Sequence, residues 1–145
     1  MGFLLGLLKV LFIVLTLLLA VADYFTMRLP DKLTFPLLGV GLIHAALLGS
    51  QVLLQNMLFA LIIGGLFALV AHIYPNGMGM GDAKYVTALA LFLGFPAVII
   101  TLSVATFTAL LVGGILLLRK HITLKQHIPF GPFLTLGAWL ALKIF

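Results

Sequence analysis

The stretch Leu4–Tyr24, LLGLLKVLFIVLTLLLAVADY, decides the fold class. Its only charged residues are Lys9 and Asp23, toward opposite ends. A helix crosses a bilayer's hydrocarbon core with roughly 20 apolar residues, and this run has that length without strand-like alternation. It predicts a membrane span.

Working outward, further apolar segments run from about Leu33 to Leu48, Val52 to Tyr74, Ala83 to Leu93, Ala97 to Leu118 and Phe130 to Ile144. The breaks fall where Pro, Gly and charge gather. The pattern predicts an all-α, polytopic membrane protein of about six spans, built as a single domain over residues 1–145. The fourth segment is short, and Gly94-Phe95-Pro96 after it reads either as a turn or as a kink. A kink would change both the helix count and the side on which the chain ends.

Composition agrees. The chain is 64% hydrophobic and 8% charged, with a mean hydropathy of +1.36. So few charges cannot cover the core of a water-soluble domain. The excess of eight Lys and Arg over three Asp suits membrane orientation and contact with lipid headgroups. A nucleic-acid partner would need a clustered basic face, which is missing. With no Cys, disulfides, a thiolate nucleophile and a Cys-based zinc site are excluded.

Positive charge orients the bundle. Arg28 and Lys32 fall in the first connection, Lys84 beside the third, and Arg119, Lys120 and Lys125 in the fifth. Only Lys9 and Lys143 fall on the other side. The first, third and fifth connections are therefore expected in the cytoplasm, with both termini outside. A competing reading makes Lys9 to Ala22 a signal peptide cleaved before Asp23; N-terminal sequencing or intact mass separates the two.

Each of the three acids can be weighed singly. An ionisable residue at membrane depth is costly and is a functional candidate by default. Asp23 closes the first span and Asp82 opens the fourth, so both lie near one face if those spans pack together. Two carboxylates brought close in a poorly solvated site tend to share a proton. That is what an aspartyl protease uses: the ionised member takes a proton from water while the protonated one polarises the peptide carbonyl. The bland alternatives are a helix-end pairing of Asp23 with Arg28 and a first-turn dipole role for Asp82. Asp31, after Pro30, reads as a cap or as the partner of a neighbouring Lys or Arg.

Before Asp82, glycine alternates with methionine at Gly77-Met78-Gly79-Met80-Gly81, which suits an extended substrate strand lying against enzyme backbone. Lys84 lies off the helical face of Asp82 and is expected to snorkel to headgroups. Gly64-Gly65 and Gly113-Gly114 read as close helix packing. No two of His44, His72, His121 and His127 share metal-ligand spacing, so no metal or cofactor is expected.

Three stretches resemble the type IV prepilin peptidases, which belong with the GxGD-type intramembrane aspartyl proteases. Asp23-Tyr24-Phe25-Thr26-Met27-Arg28-Leu29-Pro30-Asp31 is similar to the stretch from the family's first catalytic aspartate to its Leu/Ile-Pro-Asp/Asn turn. Gly77 to Lys84, GMGMGDAK, resembles its GxGxGDxK block, and Ile128-Pro129-Phe130-Gly131-Pro132-Phe133 its IPFGP-type segment. The resemblance implies a catalytic Asp23/Asp82 dyad. It also implies supporting, substrate-binding or loop-shaping roles for Pro30, Asp31, Gly77, Gly79, Gly81, Lys84, Pro129, Phe130, Gly131 and Pro132. The implied partner is a prepilin or pseudopilin helix, cut after a glycine at the cytoplasmic face of the bacterial inner membrane. Bifunctional members carry a Cys-x-x-Cys region that accompanies methylation; without Cys, no methyltransferase activity is expected. The rivals from other classes are a small proton or cation transporter using the same aspartates, and a non-catalytic pilin-binding assembly component.

Overall fold

The structure, a computed structural model, describes residues 1–76, 79–120 and 128–144. Six helices follow one another: α1 (Gly2–Thr26), α2 (Asp31–Leu48), α3 (Ser50–Ile73), α4 (Met80–Leu93), α5 (Ala97–Leu118) and α6 (Gly131–Ile144). Every segment read from hydropathy is present within a few residues.

Four of them, α1, α2, α3 and α5, are long and apolar enough to cross a membrane. Their outward residues are large and apolar, with Leu110 70% and Leu61 68% exposed. Such a surface is stable only against lipid. The other two, α4 and α6, have 14 residues each, about 21 Å at the usual helical rise and short of a roughly 30 Å hydrocarbon core.

Short length suits α4 because it is the centre of the bundle. It packs most extensively on α3 and α2 and also touches α5 and α6. Tyr85, Val86, Ala88, Leu89 and Ala90 are fully buried. Its alanines let neighbours approach closely, as does Gly64 of α3, which backs directly onto Thr87. Gly65 and Gly114 have open space beside them, and Gly113 faces the Ile128 side chain ahead of α6, so of these four glycines Gly64 makes the expected close helix contact.

Gly94-Phe95-Pro96 is a true break between α4 and α5. Asn56 of α3 donates from Nδ2 to the Leu91 carbonyl at 2.9 Å and so satisfies an orphan group at the end of α4. The first connection is equally sharp. Met27 adopts a left-handed conformation (φ 57°), and its N–H returns to the Asp23 carbonyl at 2.8 Å. The chain is thereby turned to bury Leu29.

The first and fourth helices touch through side chains that reach across, not by close approach of their backbones. Helices α2 and α6 each contact both of them. The bridging contact from α1 is the Phe12 ring, stacked on Phe92 of α4 at 4.0 Å between centroids.

Candidate active site

Along α1 the buried residues are Leu8, Phe12, Thr16, Leu19 and Asp23. These positions repeat every three or four residues, so they form one helical stripe facing the bundle. The stripe starts in hydrocarbon side chains and ends in a carboxylate. Asp23 is 5% exposed, a burial that an acid tolerates only with a hydrogen-bond partner. The partner is the first residue of α6: the Gly131 N–H donates to Asp23 Oδ2 at 2.7 Å. A Cβ at position 131 would lie 2.7 Å from that oxygen, so only glycine fits there. The helix N-terminus places further positive dipole beside the acid. The alternative pairing with Arg28 does not form.

Asp82 lies in the first turn of α4, half-buried, and its N–H bonds the Gly79 carbonyl at 3.2 Å. The turn is pressed against the first connection, since a Cβ on Gly81 would come within 3.2 Å of Leu29 Cβ. A cavity of about 270 Å³ opens here, lined by Asp23, Asp31 and Asp82 together with Met27, Arg28, Leu29, Gly79, Met80 and Gly81. All three acids of the chain therefore border one space, though Asp23 and Asp82 are far apart in sequence. The first connection, the start of α4 and the start of α6 gather at this end of the bundle, as the grouping of basic residues predicted.

One expectation is corrected. Lys84 does not extend to headgroups; its Nζ donates to Asp31 Oδ1 at 3.0 Å and lies 5.7 Å from the centre of the Phe35 ring. The two first turns carry this pair within reach, and opposite charge completes it. Asp31 thus takes the ion-pair role rather than the capping one; Pro30 occupies the cap position of α2, and its carbonyl accepts from Leu33 and Thr34. Of the IPFGP-type segment, Gly131 reaches Asp23, whereas Pro129, Phe130 and Pro132 are not among the cavity's lining residues. Phe130 packs against the core instead. Gly77, His121 and His127 lie outside the described residues. His44 is buried and stacked on Phe92 at 4.0 Å, and His72 is exposed at the end of α3.

Sequence reasoning passed over several buried hydroxyls toward this end, among them Thr16, Thr34, Tyr85 and Thr135. Their signal was available, because polar side chains inside apolar helices need partners.

Residues 10–114 match the type IV leader peptidase family, a span that contains Asp23, Asp31 and Asp82 and stops short of Gly131. A prepilin leader peptidase/N-methyltransferase of Aeromonas salmonicida is 39% identical over 127 residues, covering 83% of this chain and 43% of that protein. Proteins of the same name from Neisseria gonorrhoeae and Pseudomonas aeruginosa are each 34% identical over 124 residues. They are covered to 42% and 41% of their length, against 81% and 79% of this chain. The chain thus spans about two fifths of the relatives it matches. No solved structure matches it.

Proposed function

The chain belongs to the type IV leader peptidase family, and we propose on that footing that it is a membrane aspartyl endopeptidase acting on the leader of prepilins or pseudopilins. Asp23 and Asp82 form its dyad. The observation that carries this reading is the cavity of about 270 Å³ that both acids line at one end of the bundle.

The chemistry follows from two carboxyl groups holding one proton. The ionised carboxylate removes a proton from water as the water oxygen attacks the scissile carbonyl carbon. The protonated carboxyl donates to the carbonyl oxygen, giving a tetrahedral diol. Collapse of the diol breaks the C–N bond, and the leaving amine takes up a proton from the dyad. No metal and no covalent intermediate enter this scheme. The residues beside the dyad support it: Gly79 and Gly81 leave backbone open along the cavity, and Asp31 with Lys84 ties the first turns of α2 and α4.

The bond cut follows a glycine, at the cytoplasmic face of the bacterial inner membrane, just before the substrate's hydrophobic helix. The basic residues grouped at the dyad's end support that orientation. Full-length protein in liposomes, incubated with a prepilin-like peptide, should release two products whose masses place the cut after glycine. Intact peptide, with proton or cation flux through the liposomes instead, would favour a transporter.

A further inference from the structure

The two carboxylates belong to two different hydrogen-bonded units. In one, α1 and α6 are tied by the Gly131 N–H on Asp23 (2.7 Å) and by the Trp139 indole N–H on Thr16 Oγ1 (2.9 Å). The Thr135 hydroxyl also lies 3.2 Å from the Thr16 carbonyl and 3.0 Å from that of Gly131. This unit carries Asp23. The other is α4, which carries Asp82 and is bonded to α2 through Lys84 and to α3 through Asn56.

Among the described residues, one side-chain hydrogen bond joins the two units. The Tyr85 hydroxyl and Thr135 Oγ1 share it, 2.6 Å apart, with Tyr85 fully buried. Its position is what matters. Tyr85 follows Asp82 by one turn of α4, and Thr135 follows Gly131 by one turn of α6. The bond therefore lies one turn beneath both carboxylates and links the helices that hold them.

We propose that this bond is a brace that sets the spacing of the dyad, which makes Tyr85 and Thr135 positioning residues for the reaction. The inference rests on the dyad reading above. Tyr85 does not touch the reacting atoms; it acts by fixing α4 against the α1–α6 unit. A dyad works only within a narrow range of separations, and a shift near 1 Å can cost about 100-fold in rate. Tyr85→Phe removes the brace alone. Thr135 keeps the Thr16 and Gly131 carbonyls as partners, so no buried group is orphaned and the bundle should fold.

The test uses the full chain in liposomes. Tyr85→Phe and Thr135→Val should each lower kcat by about 10- to 100-fold with KM within about twofold of the original. Thr135→Ser, which keeps the hydroxyl, should restore kcat to within about threefold. A readout independent of catalysis comes from the absence of Cys. Nitroxides on Phe25→Cys and Met80→Cys, both exposed, should show a broader distance distribution in Tyr85→Phe and Thr135→Val, and the original width in Thr135→Ser. Unchanged kcat in the first two variants, or a rate loss with an unchanged distance distribution, overturns the brace. If the unaltered protein cleaves no peptide, the proposed function fails, and the distance measurement alone decides the brace.

Discussion

At the scale of single residues, the site is built from groups whose isolated chemistry is ordinary. Asp23 becomes a candidate because a buried helical stripe delivers it into the bundle and one backbone N–H receives it. Both candidate acids were legible in the sequence, since a chain with only three acids leaves little to choose among. The Gly131 contact was not, because a backbone donor has no residue-type signature and its partner lies 108 positions away. The same limit explains Lys84 and Asp31, 53 positions apart, whose meeting depends on two helix ends converging. Their pair is partly exposed, 37% and 55%, so water and salt screen it and its contribution is at most about 1 kcal/mol. Asp31→Asn should therefore leave the melting temperature in detergent nearly unchanged and retain at least part of the cleavage rate. Complete loss of cleavage would move Asp31 from support to chemistry.

Among the elements, α4 departs furthest from a simple span. The sequence leaves its end open, since Gly94-Phe95-Pro96 reads as a turn or as a kink, and its central position was not legible. Hydropathy cannot distinguish a helix wrapped by protein from one wrapped by lipid when both are apolar. The difference appears in small details: alanines along its faces, Gly64 against Thr87, and Asn56 at its C-terminal end. Asn56 is 6% exposed and satisfies a carbonyl that would otherwise be orphaned in an apolar setting. Asn56→Ala should destabilise the protein by about 1–3 kcal/mol, the usual cost of an unmade buried hydrogen bond. Denaturant titration of the purified protein in mixed micelles measures this; an unchanged midpoint would mean that water replaces the amide.

For the molecule as a whole, the six-helix order and the grouping of first, third and fifth connections at one end follow from apolar runs and charge. The way the dyad's helices are held did not follow, because packing partners among six similar helices are chosen by side-chain fit rather than by hydropathy. Orientation across the membrane has a direct readout in a chain without Cys. A membrane-impermeant maleimide applied to spheroplasts should label Ser50→Cys and spare Lys120→Cys, both exposed positions. The reverse pattern would place the dyad on the outer face. The central claim is that Asp23 and Asp82 together hydrolyse a leader peptide. It is tested most directly by single-turnover cleavage of a prepilin-like peptide by Asp23→Asn and Asp82→Asn, which preserve side-chain volume. Each variant should cut at least about 1,000-fold more slowly than the unaltered protein while still binding the peptide; cleavage within about tenfold of the original rate in either one would contradict the account.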